Sequence, residues 1–328
     1  MNSKKIFITG GGGYVGAALV PELLNKGYEV TVLDLFMYGT DVLDSHDKLN
    51  LITGDIRNQE LLKNIIPGHD TVIHLACISN DPSFELNPLL GKSINLDAFE
   101  PLVKISKSNG VNKFIYASSS SVYGIKSEPD VTEDMSLEPL TDYSKFKADC
   151  ERILLNYDSD NFTTCTIRPA TVCGYSRRQR LDVVVNIFTN LAFHNREISV
   201  FGGSQLRPNI HITDMVNVYL KILECENNVI RGQIFNAGDK NYTVLELAEM
   251  TKDVIGEDVL LKVTESNDNR SYHVSSKKIG EVTGFKLVKS IKQAIIDLKL
   301  AIEKKKLVNS LVDPKYFNIK MMQKINLE

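Results

Sequence analysis

Near its start the chain runs Ile6-Phe7-Ile8-Thr9 and then breaks into glycines, Gly10-Gly11-Gly12-Gly13-Tyr14-Val15-Gly16, before a helical pattern to Asn25. No other stretch restricts the possible fold so tightly. An apolar strand, a glycine turn and a helix in immediate succession are what a strand needs to hand over to a helix packed on its own sheet. Gly10, Gly13 and Gly16 recur every three residues. The first permits the tight turn, the second lets backbone approach a pyrophosphate, and the third lets the helix lie close to the strand. The helix start, around Tyr14 and Val15, then presents free N–H groups and the positive end of its dipole to phosphate. Four glycines in a row could also be a plain flexible turn, but their position directly after a first strand favours a dinucleotide site.

The rest of the first half repeats the alternation. Strands are predicted at 29–34, 49–53, 71–76, 114–117 and 163–168, with helices at 89–109 and 143–156. This is the signature of a parallel sheet covered on both faces, a Rossmann-type doubly wound α/β fold. Past residue 170 the alternation weakens. A helix is predicted over 182–195, a returning strand over 234–237, a strand over 259–263 and an amphipathic helix over 290–306. Thr243 and Glu246 have the spacing of a capping box for a helix to Ile255. We therefore expect a dinucleotide-binding domain, 1–170 plus about 205–238. A smaller discontinuous α/β domain, about 171–204 plus 239–328, would bind substrate.

The length of 328 residues suits one large and one smaller unit, and 43% hydrophobic residues suffice for packed cores. No apolar run reaches the roughly 18 residues of a membrane span. The N-terminus lacks the apolar stretch of a secretory signal, so a cytoplasmic protein is expected. A net charge of −3 offers no basic field for nucleic acid. The five cysteines are scattered, with no Cys-x-x-Cys pair and no clustered histidines, which argues against disulfides and metal sites. Cys77 and Cys173 stand out only for lying at strand ends.

Tyr143 and Lys147 lie four apart at the start of a helix, a spacing of about 6 Å that puts both on one face. An ammonium beside a phenol favours the phenolate, and a phenolate beside a nicotinamide is a base for oxidising an alcohol. On spacing alone such a pair is usually a partly buried ring and a solvated amine. Asp34 falls 24 residues after Gly10, at a strand end where a carboxylate accepts hydrogen bonds from an adenosine ribose. It would repel a 2′-phosphate, so NAD is expected rather than NADP; an exposed loop acid is the alternative. Asp55, with Ile56 beside it, could meet the adenine amino group or cap the following helix.

Seven segments together carry a resemblance over nearly the whole chain: TGGGGYVG (9–16), GDIR (54–57), HLA (74–76), SSVYG (120–124), YSKFK (143–147), RP (168–169) and RPNIHITD (207–214). The chain resembles the extended short-chain dehydrogenase/reductases that act on nucleotide sugars. That resemblance implies Tyr143 as catalytic acid/base and Lys147 as the residue that binds the nicotinamide ribose and depresses the tyrosine pKa. It implies Ser119 as the active-site hydroxyl, and Leu75 and Ala76 beside the cofactor. His74 is expected to shape the cofactor loop and Asn95 to support the tyrosine region. It also implies a homodimer through helices 89–109 and 143–156. The family's 4,6-dehydratases carry an aspartate and a glutamate where Ser120 and Ser121 stand. Two serines cannot serve as that acid/base pair, so dehydration is disfavoured.

For the substrate, the resemblance places Arg207 and Arg270 at the diphosphate; either could be a surface arginine. Arg177, Arg178 and Arg180 form a basic patch, with Arg177 and Arg180 taken as substrate contacts alongside Ser79, Ser120 and Thr171. A solvated helix start would account for that patch equally well. Thr171 and Cys173 replace the family's usual asparagine and tyrosine, so ordinary UDP-sugar contacts are not expected unchanged. The stretches 74–99 and 168–182 are similar to enzymes of bacterial surface-polysaccharide synthesis, in particular to NAD-dependent C4 dehydrogenation of GDP-heptose for capsule. That oxidation is the leading expectation. The alternative is a nucleotide-sugar 4-epimerase working through the same 4-keto intermediate, and the more distant one a non-catalytic NAD-binding sensor.

Overall fold

The computed structural model describes residues 4–79, 81–265 and 273–325. The strands in chain order are β1 (Lys5–Thr9), β2 (Glu29–Asp34), β3 (Leu49–Thr53), β4 (Thr71–His74), β5 (Lys113–Ala117) and β6 (Thr163–Pro169). They continue as β7 (Thr171–Cys173), β8 (Glu197–Phe201), β9 (Leu206–His211), β10 (Gln233–Ala237), β11 (Asn241–Thr243) and β12 (Leu260–Thr264). Seven of them form one parallel sheet in the order β10-β6-β5-β4-β1-β2-β3. The order reverses between β1 and β4, and a crevice opens at such a switch point, beyond the strand carboxyl ends.

Strand side chains alternate between two cores, as a sheet buried on both faces requires. Ile6, Ile8 and Ile115 join the core beneath helices Gly16–Asn25 and Ile212–Glu224. Phe7, Phe114 and Tyr116 join the opposite one, beneath Gln59–Ile65, Phe99–Ser108 and Asp142–Tyr157. The expected helix over 89–109 is three pieces: Pro88–Lys92, a π-helical turn Ser93–Asp97, and Phe99–Ser108. In the π turn the Asn95 side chain clamps Ile78 from both ends, accepting from its N–H at 2.8 Å and donating to its carbonyl at 2.9 Å.

The remaining strands make two small sheets. β7 and β11 flank β9, and β12 pairs with β8. Of the 205–238 stretch, β10 joins the main sheet and Ile212–Glu224 covers its face, whereas β9 sits in a small sheet. Helices Val184–Asn195, Val244–Ile255 and Ile291–Glu303 enclose a third core. Thr243 and Glu246 do form a capping box.

His74, at the end of β4, is fully enclosed. Its Nδ1 shares a 2.6 Å hydrogen bond with the Thr9 hydroxyl, and its ring stacks on Tyr116. Burial, aided by the Lys147 charge, pushes its pKa down to about 3. The unfolded chain, with histidine near 6.5, therefore binds the proton first, and folding stability should rise with pH between about 3 and about 6.5. Urea unfolding across that window should show a shallower pH slope in His74→Asn than in the parent; equal slopes would contradict the buried neutral histidine.

Candidate active site

A cleft of about 590 Å³ opens at the switch point. The glycine turn forms its floor. Gly10 has φ +77°, and a Cβ there would stand 2.5 Å from the Ala76 nitrogen, while one on Gly16 would stand 2.4 Å from the Gly11 carbonyl oxygen. Side chains are excluded where the turn meets β4 and where the helix starts. Asp34 is largely enclosed and accepts N–H bonds from Gly12 at 2.9 Å and Phe36 at 2.8 Å. Burial raises its pKa against the pull of those amides. Gly10, Gly13, Tyr14, Val15, Gly16, Asp34, Asp55, Ile56, Leu75 and Ala76 all line the cleft. Asp55 does not cap the next helix; Asn58 does. Its carboxylate is gripped by Arg57, with Nη2 to Oδ2 at 2.6 Å. A backbone cradle without side chains, with a carboxylate at the end of β2, fits a dinucleotide.

At the other end Ser119, Tyr143 and Lys147 come together. Thr141 caps the helix Asp142–Tyr157 in a capping box with Ser144, and its hydroxyl donates to Asp81 at 2.6 Å. Tyr143 is thus fixed in the first turn and Lys147 one turn on. Ser119, whose hydroxyl shares a 2.8 Å hydrogen bond with that of Ser121, caps the short 3₁₀ turn Ser120–Tyr123 and lines the cleft with Tyr143. Lys147 Nζ donates to the Ala117 carbonyl at 2.7 Å and lies 5.9 Å from the Tyr143 ring centre.

The expected depression of the tyrosine pKa is corrected here. Burial raises it, with Cys77 and Asp81 adding to the rise; Arg180 and the Ser119 hydrogen bond only oppose it.

Among the substrate positions, Ser79, Ser120, Thr171, Arg180 and Arg207 line the cleft. Arg177 does not: it is turned outward, paired with Asp44 and donating to the Asp41 carbonyl at 2.8 Å. Arg270 lies outside the described residues. Cys173 is wholly buried behind the cleft wall, and Cys77 lines it. Sequence reasoning did not single out Tyr38, Asp81, Arg178, Asp182 or Asn318, all of which line the cleft. Arg178 lay within the basic patch, but nothing in the spacing showed that it, and not its neighbour Arg177, turns inward. Asn318 comes from a distant part of the chain and carries no motif.

A model of the NAD dependent epimerase/dehydratase family matches residues 6–238. The chain belongs to that family. It is therefore an enzyme, and its cofactor is NAD. Among curated relatives, a UDP-glucose 4-epimerase of Lactobacillus helveticus is 26% identical over 304 residues, covering 86% of this chain and 92% of that protein. The enzyme of the same name from Bacillus subtilis is 28% identical over 283 residues, 77% and 83% of the two chains. Among solved structures, the UDP-glucose 4-epimerase of Thermotoga maritima with UDP-glucose superposes with a TM-score of 0.84 at 24% identity, over 92% of this chain and 99% of that one. A dTDP-glucose 4,6-dehydratase of Streptomyces venezuelae with NAD bound gives 0.84 at 21% identity, over 94% and 100%. At such identities the likeness speaks to the fold. In this family member Ser119, Tyr143, Lys147 and the glycine cradle line one cleft. Among the described residues no cluster of three histidine, cysteine or acidic side chains could hold a metal, and no helix is long and apolar enough to cross a membrane.

Beneath the trio, Arg168 and Glu151 form an ion pair with both side chains about 4% exposed or less. Glu151 also accepts from the Ser118 hydroxyl. Removing one partner of such a buried pair costs about 3–5 kcal/mol. Urea unfolding of Glu151→Ala should show a loss in that range; a loss under about 1 kcal/mol would show that the pair does not anchor the site.

Proposed function

We propose that the protein is a nucleotide-sugar 4-epimerase, oxidising C4 of a bound nucleotide sugar and reducing it again on the opposite face. The observation that carries this reading is the convergence of Ser119, Tyr143 and Lys147 at one end of the cofactor cleft, with Ser120 and Ser121 where a dehydratase needs acids. The curated relatives that match most of the chain bear the name UDP-glucose 4-epimerase, which favours return of the hydride over its release. NAD, once bound, supplies the hydride acceptor and a cationic ring.

The chain's own groups handle the proton. The added positive charge and Lys147 bring Tyr143 into its phenolate form. Tyr143 then takes the C4 hydroxyl proton as the carbon becomes a ketone, and later returns it to the same oxygen. Ser119 holds that oxygen in place, and Lys147 also meets the nicotinamide ribose. The ketone must turn over within the cleft before reduction. General acid/base help of this kind contributes roughly 10²–10⁴-fold. Arg207 and Arg270 are assigned to the diphosphate of the sugar nucleotide, with Ser79, Ser120 and Thr171 along the sugar.

The second reading is oxidation of GDP-heptose at C4 without return of the hydride, for capsule synthesis. Thr171 and Cys173, which depart from the family's asparagine and tyrosine, support it. Under either reading we place the enzyme in the cytoplasm, as a homodimer through the helices at 88–108 and 142–157. The nucleotide sugar lies between the two domains drawn from the sequence.

Tyr143→Phe should abolish turnover while the protein still carries NAD; near-normal turnover in that variant would refute the assignment. The parent, incubated with UDP- and GDP-sugars, should give products of unchanged mass and no build-up of reduced nicotinamide absorbance. Loss of two hydrogens together with that absorbance would establish the dehydrogenase instead.

A further inference from the structure

Two guanidinium nitrogens inside the cleft have no hydrogen-bond partner among the described residues, Nε of Arg178 and Nη2 of Arg180. Arg178 is only 4% exposed. Its Nη2 donates to Asn318 at 2.6 Å, and its guanidinium carbon lies 3.6 Å from the Tyr38 ring centre. Arg180 donates from Nε to Asp182 at 2.6 Å. Burying a cation with an idle donor is costly unless something charged completes it. Asp182 also receives the Asn318 backbone N–H, so among the described residues one acid is bonded directly in this corner while two guanidinium groups converge on it. The corner is short of negative charge.

Where the arginines face is set by their own loop. Residues 174–182 are laced to the tyrosine of the glycine turn. The Tyr14 hydroxyl donates to the Gly174 carbonyl at 2.6 Å, and Ser176 donates to the Tyr14 carbonyl at 2.9 Å. Asn186 donates both to the Tyr14 hydroxyl at 3.0 Å and to the Arg180 carbonyl at 2.8 Å. The loop cannot leave the glycine turn without breaking these bonds. The charge of Arg178 reaches Asp34, at the ribose end of the cradle, and that of Arg180 reaches Tyr14 and Tyr143, at the chemical end. A dinucleotide stretched between those ends has its diphosphate in the middle.

We propose that Arg178 and Arg180 bind the diphosphate of NAD from the side opposite the glycine turn. Backbone N–H groups hold it on one side and two guanidinium forks on the other, a geometry suited to phosphate oxygens. Asn318 is a positioning residue in this arrangement. Its side chain accepts from Tyr38 at 3.0 Å and from Arg178, and donates to Ser79 at 2.9 Å. It locks Arg178 and closes the cleft over the cofactor, which stays bound between turnovers. The proposal rests on NAD occupying this cleft and is indifferent to the sugar.

A nucleotide sugar also carries a diphosphate, so the test separates the two sources. Holoenzymes of the parent, Arg178→Gln, Arg180→Gln, Arg180→Lys and Asn318→Ala are diluted, and release of NAD(H) is timed. UDP affinity is measured by calorimetry with NAD in excess. Each glutamine variant should release NAD(H) at least about tenfold faster, the loss expected for one charge-assisted bond. Arg180→Lys should fall between, and UDP affinity should stay within about threefold. Release within about twofold of the parent in Arg180→Gln would overturn the proposal. A tenfold loss confined to UDP would assign the arginines to the substrate. Should Arg178→Gln not fold, Arg180→Gln and Asn318→Ala decide between these outcomes.

Discussion

The buried pair of Arg168 and Glu151 holds the chemistry in register. Arg168 comes from β6, Glu151 from the helix that carries Tyr143 and Lys147, and Ser118 from the end of β5 just before Ser119. Nε and Nη2 of Arg168 both engage the Glu151 carboxylate, and Nη1 donates to the Tyr123 hydroxyl at 2.7 Å. Tyr123 passes the chain of bonds on to Asn236 of β10. A cation and a carboxylate drawn from water are expensive apart and tolerable together. Three elements that would otherwise slide are therefore pinned at one point below Ser119, Tyr143 and Lys147. Hydrophobic packing makes the sheet; this polar network fixes the angle at which the helix presents its tyrosine.

The same enclosure sets the proton chemistry. A phenol packed largely against protein resists ionisation, and the neighbouring Lys147 ammonium donates to the Ala117 carbonyl. Burial outweighs charge at Tyr143. Under the proposed mechanism the charge that ionises Tyr143 comes with the bound cofactor, so base strength is tied to occupancy of the cleft. This coupling suits a reaction whose ketone intermediate must not meet water.

Much of this was legible in the residues. The unbroken apolar run Ile6, Phe7 and Ile8 announces a strand buried on both faces, and the three-residue glycine rhythm admits few other local structures. The Tyr143–Lys147 spacing and the capping box at Thr243 follow from helix geometry alone. Other features were hidden. The helix Ile212–Glu224 is capped by His211, outside the usual capping residues, so no start signal marks it. The π turn at Ser93–Asp97 has no compositional sign, and the 89–109 pattern reads as continuous. Arg177 and Arg178 are identical as letters; which one faces the cleft depends on how residues 174–182 are tied to Tyr14, a contact between distant parts of the chain. Site residues drawn from afar, such as Asn318, emerge only once the chain is folded.

The central claim is that oxidation and reduction occur at one sugar carbon, with Tyr143 moving the proton and the hydride held within the enclosed cleft. A nucleotide-sugar substrate carrying deuterium at C4, turned over in ordinary water and read by NMR, tests this most directly. The account predicts that deuterium remains at C4 in the epimerised product. Loss of the label to solvent, or its appearance at another carbon, would contradict it.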